Sequence, residues 1–116
     1  MGCPKELELD EMNDLKKFIG WNVGFSTKAS KQTRKMPRKV LDNLTLLIKD
    51  IEETGPIQKE WPHFSALEKG KQIPSDAYHC HIKSGRPTFV VCWQIRDKKN
   101  QIIEIFYVGT HENSPY

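Results

Sequence analysis

Apolar residues recur at helical spacing in one stretch more clearly than anywhere else. Val40, Leu41, Leu44, Leu47, Ile48 and Ile51 form a stripe wide enough to bury one helix face. Pro37 suits the first turn of this helix, and Gly55 and Pro56 end it. A shorter helix over about 28–35 precedes it, with Ser26 or Thr27 as its cap. The tight connection around Met36 and Pro37 predicts that the two helices form a hairpin. WNVGF, residues 21–25, is short and apolar and reads as a strand leading into the hairpin. Upstream, Leu9, Met12, Leu15, Phe18 and Ile19 give residues 5–19 a helical pattern that Gly20 can stop.

The pattern changes after the long helix. Residues 56–76 contain Pro56, Pro62, Gly70 and Pro74 and read as a loop, with Trp61, Phe64 and Leu67 as its anchors to the core. Three runs rich in β-formers follow, at about 77–83, 89–95 and 102–108. SGRP (84–87) and DKKNQ (97–101) separate them, and connections this short imply an antiparallel meander. The order strand, helix, helix, three strands predicts an α+β fold: a four-stranded, mainly antiparallel sheet with the helical hairpin on one face. On this reading residues 1–20 are an N-terminal helical extension and residues 21–116 the domain proper.

With 116 residues, 37% hydrophobic and 28% charged, the chain has the size and composition of one globular domain. No apolar run approaches the ~20 residues of a membrane helix. MGCPKELELDEMND lacks the apolar core of a signal peptide, so a cytoplasmic location is expected. Three cysteines without CxxC spacing predict reduced thiols, and Cys80 and Cys92 lie in apolar runs as small core residues. The formal net charge is only +3, but Lys28, Lys31, Arg34, Lys35, Arg38 and Lys39 follow one another with no acid between them. Such a run suits RNA phosphates or an acidic protein partner.

Candidate chemistry centres on YHCHIK, residues 78–83. In a strand, Tyr78, Cys80 and Ile82 face one way, and His79, His81 and Lys83 the other. The first set is apolar and belongs toward the helices, which leaves the histidine row on the open face. The meander returns its third strand to the same edge, where Gly109 lets the backbone turn toward that face and His111 emerges. Arg86 lies in the neighbouring turn, and Tyr116 is too few residues beyond His111 to travel far. One corner thus gathers two or three imidazoles, cations and a phenol. This inventory suits RNA cleavage by the 2′-hydroxyl. Histidine can act as base and acid near neutrality, Lys and Arg can hold the phosphate, and an aromatic ring can stack on a base. A zinc site of His79, His81 and His111 is the rival, but Lys83 and Arg86 would crowd the cation, so no metal or cofactor is expected. His63, beside Pro62, is read as a surface-loop histidine outside the site.

The hairpin ending in IEETGP, the segment AYHCHIKSGRPTFVVCWQI and the ending IIEIFYVGTHENSPY together resemble the RelE/ParE toxin superfamily, over about residues 21–116. The branch whose chains end in a GTHE…PY tail is the most similar. The resemblance implies the toxin of a toxin–antitoxin pair: an mRNA endonuclease acting on the ribosome and silenced by a small antitoxin protein. Basic residues alternate along the strand matched by 78–83 in that family, and His79, His81 and Lys83 take those places. His111 matches a basic residue that follows the last strand's glycine, and Tyr116 matches a C-terminal tyrosine approximately. An arginine expected early in the next strand is replaced by Phe89 or Val90, with Arg86 as the nearest substitute. Some members of the superfamily instead poison DNA gyrase without catalytic residues. A non-catalytic protein that binds gyrase or an antitoxin through this face is therefore the alternative.

Overall fold

A computed structural model describes residues 20–116, so the expected helix at 5–19 and Cys3 lie outside the described residues. The observed elements are β1 (Asn22–Phe25), α1 (Thr27–Thr33), α2 (Arg38–Thr54), β2 (Ser65–Leu67), β3 (Ala77–Lys83), β4 (Phe89–Asp97) and β5 (Ile102–Thr110). A 3₁₀ turn at His111–Asn113 follows β5. The strands form one sheet in the order β1-β5-β4-β3-β2. β1 runs parallel to β5, and every other pair is antiparallel. Among the described residues the sheet is therefore five-stranded and mixed, where the sequence reading expected four strands. The added strand is only three residues long and lies inside the segment read as loop.

Both helices form where the sequence places them and dock on the sheet. Ser26 caps α1 by accepting a bond from the Ala29 amide at 3.0 Å. Gln32 accepts from the Val108 amide at 2.9 Å through its side-chain oxygen, fastening α1 to β5. Val40, Leu44, Leu47 and Ile51 are the buried stripe of α2. They pack on Cys80, Ile82, Phe89, Val91, Trp93, Ile103, Ile105 and Val108 from the sheet. Trp93 is fully buried, and its indole N–H is satisfied by the Pro56 carbonyl at 3.1 Å. Phe64 stacks on Tyr78 and Trp93 with centroids 5.8 and 6.0 Å apart, so Phe64 does pin the loop to the core.

The opposite face carries a second apolar cluster of Val90, Cys92 and Tyr107, with Leu67 and Phe106 against it. Cys80 and Cys92 are both unpaired and buried, and burial pushes the Cys80 thiol up to about 12. They pack as small core residues, one on each face. No helix among the described residues is long and apolar enough to cross a membrane.

The stripe of α2 is testable with neighbouring leucines. Leu47 is fully buried whereas Leu46 is 57% exposed. Leu47→Ala should cost about 2–5 kcal/mol in a denaturant melt, and Leu46→Ala should stay within ~0.5 kcal/mol. Equal losses would mean that α2 is rotated from the orientation described.

Candidate active site

β3 places His79 and His81 on the face away from the helices, opposite Cys92 and Val90 of β4. Beyond His81 the register shifts, so that Lys83, not Ile82, is the partner of Phe89. A bulge of this kind breaks the two-residue alternation. Lys83 is half-buried and does not line the cleft described next, so it leaves the row in which the sequence had placed it.

That cleft, about 580 Å³, opens between the ends of β3 and β5 and is lined by His81, Arg86, Thr88, His111 and Glu112 among others. Gly85 has φ 138°, a backbone conformation that side chains resist, and the Thr88 hydroxyl donates to its carbonyl at 2.9 Å. This turn presents Arg86 to the cleft. The His111 amide donates to the Thr88 carbonyl at 2.9 Å, tying the second histidine to the same turn. Gly109 serves differently from the sequence expectation. Its φ is not left-handed; a Cβ there would sit 2.6 Å from the Tyr107 hydroxyl. That hydroxyl donates to the Thr110 carbonyl at 2.6 Å, so Gly109 makes room for a brace beneath the start of the 3₁₀ turn.

Five rings meet at this corner. His81 and His111 lie edge to face with centroids 5.3 Å apart. Tyr116 folds back so that its ring is 4.2 Å from His79 and 5.7 Å from His111. His79 is only 8% exposed beneath this cover, and its Nδ1 is 3.2 Å from the Ser65 hydroxyl. The fifth ring is His63, stacked on His81 at 4.2 Å and 26°. The sequence reading left His63 outside the site; the structure brings it in. The His81 amide donates to the Pro62 carbonyl at 2.8 Å, which lays the loop along β3. His63 then adopts φ 56°, uncommon for a residue other than glycine. Nothing in the local sequence announces this contact, since it depends on a pairing between segments far apart in the chain.

Two solved structures are similar to this chain. A double arginine-to-alanine variant of the E. coli toxin RelE, in the free state, superposes with TM-score 0.59 at 18% identity, covering 82% of this chain and 87% of its own. The archaeal RelE–RelB complex from Pyrococcus horikoshii OT3 gives 0.55 at 18% identity, with 82% and 99% covered. The chain has the RelE-like toxin fold. No protein-family model matches the sequence, and no curated protein matches it significantly.

On this RelE-like scaffold the basic run is exposed throughout: Lys28, Lys31, Arg34, Lys35, Arg38 and Lys39 all face solvent. The Gln32–Val108 bond and a 2.6 Å bond from the Asn43 amide to the Ile82 carbonyl tie the hairpin to the same end of the sheet as the cleft. Arg38 pairs with Asp42 at 3.3 Å on the surface, a contact of little energetic weight.

The ring cluster shifts its own proton affinities. Burial lowers the pKa of His81, and repulsion from His63, His111 and His79 lowers it further. Burial likewise lowers His79, outweighing the opposing effect of Ser65. Tyr116 is pushed well above the usual phenol range, chiefly by burial, so its hydroxyl stays protonated and can donate but not act as a base. Among the described residues no three His, Cys, Asp or Glu side chains are arranged to hold a metal ion.

NMR titration should therefore find His79 and His81 protonating below the ordinary value of 6.5. Both bind a proton less readily folded than unfolded. Their contribution leaves stability full above pH 6.5 and lowers it as the pH falls into the window beneath. His63→Ala should raise the His81 pKa, since it removes both cover and repulsion. An unchanged His81 titration in that variant would show that the stack does not persist in solution.

Proposed function

We propose that the protein is the toxin of a toxin–antitoxin pair and a metal-independent endoribonuclease that cleaves mRNA on the ribosome. The observation that carries this reading is the pair His81 and His111, edge to face at 5.3 Å, beside Arg86 in an open cleft. Transfer to an internal phosphodiester needs a base, an acid and a cation near one phosphorus, and this corner offers all three.

In the reaction the neutral His81 imidazole takes the 2′-hydroxyl proton. The 2′-oxygen attacks phosphorus, and the bond from phosphorus to the 5′-oxygen breaks. His111 supplies the proton to that leaving oxygen. The products are a 2′,3′-cyclic phosphate and a 5′-hydroxyl end. The lowered pKa of His81 keeps it in the form a base requires at neutral pH. His79 is the less suitable base, because Tyr116 and its own burial separate it from the cleft. Arg86 stabilises the charge that builds on the phosphorane, and the exposed basic run tracks the RNA backbone on either side. Tyr116 holds His79 and His111 in place with its ring. The antitoxin partner belongs to the same proposal: the archaeal neighbour was solved as a RelE–RelB complex.

Expression without an antitoxin should arrest a bacterial host and shorten its mRNA. Intact mRNA accompanied by DNA breaks would sink the ribonuclease reading and favour a gyrase poison. In a ribosome-programmed assay, His111→Ala and His81→Ala should each lower cleavage by about 10²- to 10⁴-fold. His111 is exposed, so its loss should leave the melting temperature nearly unchanged. Cleavage should survive a chelator. Loss on chelation with recovery on added zinc alone would replace this mechanism by a histidine-ligated metal.

A further inference from the structure

A second hollow lies on the sheet's open face, against the other end of the C-terminal tail. It holds about 470 Å³ and is lined by Lys28, Gln72, Phe106, Tyr107, Asn113 and Pro115 among others. The tail from His111 to Pro115 is a shared wall: His111 and Glu112 line the cleft, Asn113 and Pro115 line the hollow. We propose that this hollow is a nucleobase subsite, which takes an unstacked base of the single-stranded RNA whose backbone enters the cleft. The inference rests on the ribonuclease reading and adds where the substrate is held beyond the scissile phosphate.

A register irregularity builds the hollow. Cys92 pairs with Tyr107, but its neighbour Trp93 pairs with Ile105, so Phe106 is left over as the bulge residue. In a regular strand Phe106 and Tyr107 would point to opposite faces. Here both pack with Val90 and Cys92 on the face away from the helices. Two successive aromatic rings therefore stand beside each other, and Phe106 remains partly exposed. Tyr107 is buried and its hydroxyl is committed to the Thr110 carbonyl, so Phe106 is the ring that offers apolar surface for stacking.

The polar lining fits the same ligand. Gln72 and Asn113 each present an amide with both donor and acceptor, as the edge of a base requires. Lys28 supplies a cation for the attached phosphate, and no carboxylate among the described residues lines the hollow. An acidic peptide would find a single charge here and would have little use for the Phe106 ring and two amides. A base with its phosphate uses every group.

The test is fluorescence anisotropy with a short 2′-O-methylated single-stranded RNA, which cannot undergo 2′-hydroxyl attack, combined with cleavage assays on the same proteins. Phe106→Ala should weaken Kd by about 5- to 150-fold, the range expected for losing one stacked base. Phe106→Trp should restore it. Lys28→Ala should reduce the slope of log Kd against log salt by about 0.7, as expected for one lost phosphate contact on a single strand. The exposed Lys28 has no structural role to confuse this result. A wild-type Kd for Phe106→Ala would overturn the subsite. So would an unchanged salt slope for Lys28→Ala, or equal weakening by Ala and Trp at position 106. In any of these cases, continued cleavage by the wild type would leave the ribonuclease reading standing. Absence of wild-type cleavage would remove that reading instead, whatever the anisotropy shows.

Discussion

Residues 89–93 of β4 are buried on both sides of the sheet. Phe89, Val91 and Trp93 sink into the helix-side core, while Val90 and Cys92 turn the other way and are still fully covered. Among the described residues, helices back this mixed sheet on one face alone. A central strand that is apolar on both therefore needs cover from something else. That cover comes from Leu67, Phe106 and Tyr107 over Val90 and Cys92, and from Tyr116 over the neighbouring His79. The cleft and the ring cluster lie at the margin of this second core, where the covering stops. The site is thus a by-product of burying a strand twice.

Wherever side-chain periodicity was regular, the sequence announced the structure. The α2 stripe, the meander and the outward row of His79 and His81 all follow from spacings of about 3.6 or 2 residues. His111 and Tyr116 were placed by the direction of the meander, and both are at the expected corner. The losses fall where periodicity is interrupted. Lys83 left the row because one bulge moved it opposite Phe89. At Phe106 another bulge interrupts the alternation of the third β-rich run. β2 is three residues of unremarkable composition, defined by its pairing with Ala77–His79. His63 was invisible for the same reason: its position depends on the Pro62–His81 backbone bond. Pairings between distant segments leave no mark in a local pattern.

The ring cluster stands at some cost to stability. Four imidazoles within a few ångströms resist simultaneous protonation, and His79 gives up most of its water as well. A fold selected only for stability would place apolar or singly charged residues here. His63, with φ 56°, adds an uncommon backbone conformation beside this crowding.

The bond from Val108 to Gln32 has a consequence for how such a chain behaves at high concentration. β5 is nine residues long, and its parallel partner β1 covers only Ile102–Ile105. The rest of that edge would be an unpaired ladder, ready to recruit a strand from another molecule. Ser26 occupies it by donating to the Ile105 carbonyl at 2.9 Å, and Gln32 takes the next free amide. Among the described residues the sheet then ends in a four-residue strand on one side and a three-residue strand on the other. Edges that short are poor templates for intermolecular growth, so α1 acts as a guard against self-association in fibres.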